Sequence, residues 1–239
     1  MTETAKDGSL LAHIPAGEFL MGSEIGYPVE RPVHAVSVKA FALGLHLVTN
    51  AQYARFVRET GHRVPYLDDG RVQLDNWDRE TREPPSGRAS HPVVLVSWHD
   101  AQAYCAWAGG RLSTEAEWEY AARGGLAGKL YPWGDTIDPT LANYDNRAGT
   151  TRVDAYPANG YGLHDMAGNV WEWVADWYDP RYYQHSSVQN PTGPERGATK
   201  VLRGGAWLLF PEFCRVAYRF RNSPEFRFNL IGFRLARSL

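Results

Sequence analysis

Between Arg203 and Arg234 the chain reads RGGAWLLFPEFCRVAYRFRNSPEFRFNLIGFR, and this stretch limits the fold more than any other. Two kinds of residue interleave in it. Arg203, Gly204, Gly205, Trp207, Arg215, Arg219, Arg221, Arg227, Gly232, Phe233 and Arg234 read as scaffold. Leu208, Leu209, Phe210, Phe213, Phe220, Phe226, Phe228 and Leu230 sit between them. The apolar set follows neither a helical nor a strand period over its length. RFRNSPEFRFN holds too much Arg, Asn and Pro for an ordinary core segment. A surface loop with so many Phe side chains is expected to bind something. The opposing reading is burial, since removing one such side chain from water is worth about 1.5–3 kcal/mol. The nine Trp and the amphipathic helices already supply a core, so most of the set is expected to point outward.

The chain has 239 residues, and its 44% hydrophobic content excludes a disordered chain. The net charge of −2, with both signs spread along the chain, gives no electrostatic surface for nucleic acid or membrane. Lys occurs only at positions 6, 39, 129 and 200. The Arg bias fits a GC-rich genome or arginines used in planar, hydrogen-bonded pairs, and the sequence leaves both open. Cys105 and Cys214 do not make a secreted disulfide scaffold, and Cys105 reads as a small core residue. The opening MTETAKDGSLLAHIP has neither a basic n-region nor a long apolar h-region. No later segment has 18 consecutive apolar residues. A soluble, cytoplasmic monomer without a membrane segment is the default expectation.

Along the chain, residues 1–12 read as a polar tail at the edge of a single domain spanning 1–239. Phe19–Met21 and the stretch from Val33 to Leu47 have strand character between Gly and Pro breakers. Thr49-Asn50 offers an N-cap for AQYARFVRET and Gly61 a stop, with Ala51, Tyr53 or Ala54, Phe56 and Val57 on one face. Residues 62–92 form a long polar connection, expected to be structural, with a rim of the binding face as the lesser alternative. Ser97 caps HDAQAYCAWA, and Thr114 with Glu117 forms a capping box for the next helix. Glu115, Glu117 and Glu119 suit the dipole of its first turn better than a catalytic role. From Gly124 onward regular structure thins, apart from WEWVADW, which alternates like a half-buried strand.

IPAGEFLMGS, VTNAQYARFV, VVLVSWHDAQAYCAWAGGRLSTEAEWEYAARGG, YPWGD, YGLHDMAGNVWEWVADWY, VLRGGAW and IGFRLA follow one another here. In this order they resemble the formylglycine-generating-enzyme (sulfatase-modifying factor) family over residues 14–237. The resemblance implies an α+β, loop-rich variant of the C-type lectin fold. The family's enzyme oxidises a sulfatase cysteine through two copper-binding cysteines spaced five apart after the RGG motif. The second of those positions falls on Cys214 and the first on Leu209, which can neither ligate copper nor form a disulfide. No copper is therefore expected. The sulfoxide-synthase relatives carry a His-rich helical iron domain, whereas His34, His46, His62 and His91 are scattered here.

The C-terminal stretch more closely resembles the variable region of diversity-generating-retroelement proteins. There, adenine-directed mutagenesis rewrites template codons, commonly those of Asn, at fixed sites. The matching positions are Leu208, Leu209, Phe210, Phe213, Phe220, Ser223, Phe226, Phe228 and Leu230. Randomised AAC or AAT codons yield Phe, Leu and Ser but never Glu, so Glu212 and Glu225 stand outside the set. This resemblance implies a binding surface for a protein ligand and no catalysis. The alternative is a formylglycine-generating-type oxidoreductase or maturation enzyme with a changed metal site. The family's structural calcium site, carried over, falls on Asp165, Gly168, Val170 and Glu172, two carboxylates and two carbonyls of the hard kind that suits Ca²⁺. A hydrogen-bonded loop without metal is the competing reading of the same residues.

Overall fold

The computed structural model describes residues 1–239. Its first sheet has the order β1-β2-β5-β10, from Thr2–Thr4, Leu10–Ile14, Phe41–Gly44 and Ala236–Ser238. All of its pairings are antiparallel. The hairpin of β3 (Gly17–Met21) and β4 (His34–Val38) stands as a second, two-stranded sheet. The third sheet has the order β8-β7-β6-β9, from Phe220–Asn222, Lys200–Arg203, Trp171–Trp177 and Ile231–Phe233. Here β6 runs parallel to β9 and antiparallel to β7.

Three α-helices pack on these sheets: α1 (Asn50–Thr60), α2 (Trp98–Trp107) and α3 (Glu115–Ala122). Each starts where a capping residue is legible. Thr49, Ser97 and Thr114 accept the backbone N–H of Gln52, Asp100 and Glu117. Gly61 closes α1 with φ of 71°, a left-handed position that suits glycine. Tyr53, Ala54, Phe56 and Val57 are buried as their spacing predicts, but Ala51 faces solvent. Asn50 goes inside instead, accepting the Trp77 indole N–H and donating to the Arg88 carbonyl.

The structure corrects the reading of the N-terminus as a polar tail. Thr2–Thr4 pairs with β2, and Ala5 and Asp7 are buried. Asp7 accepts the Tyr104 hydroxyl at 2.5 Å and the Ser9 backbone and hydroxyl. Strand β6 is also more deeply buried than its alternation suggests, because β7 and β9 flank it and core lies on both faces. Its first four residues are all buried. The connection over 62–92 contains no strand, only a 3-10 turn at Gly70–Asp75. No helix is long and apolar enough to cross a membrane.

Candidate ligand-binding surface

Four buried arginines fix the backbone of the 203–234 stretch. Arg203 pairs with Glu119 and donates to the carbonyls of Val216, Ala217 and Tyr218, which ties the two arms of the stretch together. Arg215 holds both oxygens of Glu30 at 2.6 and 2.7 Å. Arg219 holds both oxygens of Glu115 at 2.7 and 2.9 Å. Arg234 meets Glu172 at 3.1 Å through two nitrogens and donates to Gly44, Leu45 and His164 carbonyls. A planar guanidinium suits such bidentate contacts where an ammonium does not. Arginine used in pairs therefore has a structural basis here.

Glu115 and Glu117 stand in the first turn of α3 as expected, whereas Glu119 lies beyond it. Glu117 does close the capping box, and Arg111 holds it at 2.7 Å. Glu115 and Glu119, however, are buried and serve as anchors for arginines. Burial alone would raise the Glu119 carboxyl, but Arg123 and Arg203 beside it bring it below its ordinary value.

Backbone hydrogen bonds hold the segments between these anchors. Asp145 N–H donates to the Leu209 carbonyl, Leu95 N–H to Phe228, Trp98 N–H to Pro224 and Trp171 N–H to Leu230. Gly205 has φ of 79°, and a Cβ there would lie 2.5 Å from the Cys214 sulfur, so this turn admits only glycine. Cys214 is thereby sealed, and burial pushes its thiol up to about 12. Cys105 is likewise buried and free.

On this frame the nine matched positions all reach the surface to some degree. Leu208, Phe210, Phe220 and Phe226 are exposed by 39% to 56%. Leu209, Phe213, Ser223, Phe228 and Leu230 are half-buried, and none of the nine is sealed in the core. Leu209, Phe213, Phe220, Phe226, Phe228 and Leu230 surround an open cavity of about 350 Å³ with Trp171 and Tyr218. Asn222 is its one polar lining residue. Phe220 stacks on Trp171 at 5.2 Å between ring centroids, and Phe226 faces Phe228 at 6.2 Å. Leu208, Phe210 and Ser223 lie outside the cavity lining.

The 62–92 connection docks against one side of this face. The Tyr66 carbonyl accepts from Arg227, Asp75 accepts from Asn229, and the Arg71 guanidinium lies 5.2 Å from the centre of the Phe228 ring. The sequence offered a rim here only as the lesser alternative, because each contact reaches across more than 150 residues.

The four residues matched to calcium divide in two. Asp165 is buried at φ of 56°, and neither of its carboxylate oxygens has a hydrogen-bond partner. Burial raises its carboxyl to about 7, against the pull of Arg234. The Gly168 and Val170 carbonyls accept no backbone hydrogen bond. These three fit a hard cation. Glu172 is instead taken by Arg234 through both oxygens. No three His, Cys, Asp or Glu side chains converge as a metal-binding group.

A family model described as the sulfatase-modifying factor enzyme 1-like domain matches residues 2–239. The formylglycine-generating enzyme of Streptomyces coelicolor is 40% identical over 274 residues, covering 93% of this chain and 87% of that one. The serine/threonine-protein kinase pkn1 of Chlamydia caviae is 42% identical over 96% of this chain, which spans only 38% of the kinase. Among solved structures, PvdO from Pseudomonas aeruginosa superposes with a TM-score of 0.85 at 30% identity, covering 100% of this chain and 98% of that one. Treponema denticola variable protein 1 superposes with a TM-score of 0.81 at 26% identity, covering 99% and 98%. The fold is accordingly an α+β, C-type-lectin-like one of the formylglycine-generating-enzyme type. By its sequence from end to end and by its architecture, this chain belongs to the sulfatase-modifying factor enzyme 1-like domain family.

Proposed function

We propose that this chain is a non-enzymatic, hypervariable binding protein of a diversity-generating retroelement, and that its ligand is a protein surface. One observation carries the reading. Six of the nine matched side chains line one open cavity, none of the nine is sealed in the core, and buried Arg–Glu pairs hold the backbone between them. Varying tips on a fixed backbone limits the ordering cost of binding. Affinity would come from desolvating a few Phe and Leu anchors around the cavity, with polar neighbours at the rim. The likeness to a Treponema denticola variable protein over nearly the whole of both chains supports the same reading.

The alternative is cysteine oxidation by an altered formylglycine-generating enzyme, which the Streptomyces coelicolor relative favours. Leu209 in place of a first cysteine and the sealed, protonated thiol of Cys214 count against it. Asp165, Gly168 and Val170 are proposed to hold a structural Ca²⁺ that steadies the loop before β6 and takes no part in chemistry.

The test is genetic. The 3′ coding segment is compared with neighbouring DNA for a reverse transcriptase and an imperfect repeat. Differences confined to adenines of the template, and to codons of the nine positions, are expected. Differences scattered through the arginine codons, or no repeat at all, would overturn the proposal. Copper-dependent oxidation of a cysteine peptide would decide for the enzyme.

A further inference from the structure

Of the eight histidines, only His46 and His164 bring their rings together, with centroids 4.5 Å apart and planes at 30°. His46 follows β5, and His164 stands on the loop before β6. One turn pins both rings. The Nδ1 of His46 lies 2.8 Å from the Val153 carbonyl, and the Nδ1 of His164 lies 2.7 Å from the Tyr156 carbonyl. A carbonyl only accepts, so each Nδ1 carries the proton and each Nε2 keeps its lone pair. Because the turn at 153–156 takes both Nδ1 atoms, both Nε2 atoms point away from it. Neither Nε2 has a protein partner, and neither is sealed in the interior as the Nε2 atoms of His13 and His34 are. Other imidazoles stand beside acids instead: His62 beside Asp100 at 2.8 Å, His99 beside Glu225 and His185 beside Asp179.

The surroundings favour uncharged rings. Burial lowers the His46 imidazole below its ordinary value, against the pull of the Val153 carbonyl. Neutral imidazole is the form that ligates a metal. The positive group nearby is Arg234, which donates to the His164 carbonyl at 2.7 Å, and Glu172 answers its charge through both oxygens. Asp154, paired with Arg152 at 2.8 Å, adds a carboxylate near His46. A ligating histidine usually has its other nitrogen fixed by a hydrogen bond of the kind seen at Val153 and Tyr156, which sets tautomer and ring direction. One metal bonded to two imidazoles at about 2.0–2.1 Å needs their nitrogens about 3–4 Å apart. Rings already in contact reach that spacing with little movement.

We propose that His46 and His164 form a two-nitrogen site for a borderline divalent transition cation, Zn²⁺ or Ni²⁺, bound through both Nε2 atoms with water in the remaining positions. No third His, Cys, Asp or Glu joins them, so the site is weaker than a four-ligand structural one. Imidazole selects such a cation over Ca²⁺, which takes oxygens. The site is therefore separate in chemistry from the one proposed at Asp165, and it does not depend on what the Phe-lined surface binds. Once filled, it ties the bend after β5 to the loop before β6.

The experiment uses the purified full chain, freed of metal with EDTA, dialysed and titrated calorimetrically with Ni²⁺ and with Zn²⁺ in excess Ca²⁺. A saturable phase of one cation per chain is expected, and the excess Ca²⁺ should not suppress it. His46→Asn and His164→Asn should each remove that phase, whereas His99→Asn and His185→Asn should keep it. Wild type alone supplies a second measurement, in case either of the first two variants fails to fold. It is treated with diethyl pyrocarbonate, and the modified histidines are located by peptide mass. Zn²⁺ should protect His46 and His164 but not His185. Lack of a one-to-one phase, a phase that survives both His46→Asn and His164→Asn, or equal modification of the pair with and without Zn²⁺ overturns the proposal.

Discussion

Glu115 and Phe226 mark the two kinds of residue from which this surface is made. Glu115 is buried and answers Arg219 through both oxygens. Removing one member of such a pair strands a charge in the interior, at about 3–5 kcal/mol. Phe226 is exposed by 39%, and its loss opens no cavity in the core. Urea denaturation should therefore find Glu115→Gln destabilised by about 3–5 kcal/mol. Phe226→Ser and Phe210→Ser should each change stability by less than about 1 kcal/mol. A Phe226→Ser loss as large as that of Glu115→Gln would mean that the tips belong to the core after all. The sequence revealed an excess of arginine but not its partners. The paired residues lie between 62 and 185 positions apart, and no local pattern spans that distance.

At the scale of elements, the join between α3 and β6 deserves a pH experiment. Asp176 of β6 accepts the backbone N–H of Glu115 at 2.8 Å, so it closes the first turn of α3 from a distance. Burial, and then the Glu115 carboxylate, raise its carboxyl from 3.8 to about 8. A raised carboxyl favours the folded state while protonated. Its contribution is therefore full below about pH 4 and is lost as pH rises toward 8. Asp176→Asn keeps an acceptor but not the titration. Thermal melts should show the variant gaining on wild type between pH 5 and 8 and not at pH 4. Parallel curves at every pH would show that Asp176 is ionised throughout. Helices were the most legible elements, because cap, apolar face and stop all lie within one short window. Strand β1 was not legible, since TET becomes a strand only when β2 lies beside it. The burial of β6 exceeds what its alternation shows for the same reason, because its neighbours β7 and β9 come 23 residues or more later.

Over the whole molecule, the order of motifs announced the fold, and the interleaved Arg and Phe announced which face to inspect. The cavity and the docking of residues 62–76 beside it depend on segments brought together from both halves of the chain. Calcium offers a global measurement. Asp165 is a buried carboxylate with two unpartnered oxygens, and a bound cation would relieve it. About 1 mM Ca²⁺ should raise the melting temperature of wild type, EDTA should reverse the rise, and Asp165→Asn should abolish it. A melting curve indifferent to calcium and EDTA rejects the site. One feature of the topology bears on how such a surface could be rewritten safely. The last two strands follow the candidate binding residues: β9 completes the third sheet and β10 closes the first against β5. A copy interrupted or frame-shifted anywhere in the 203–234 stretch would lack both seams and could not close either sheet. Under the proposed function, folding itself would inspect each new edition, and only intact copies would be tried against a ligand.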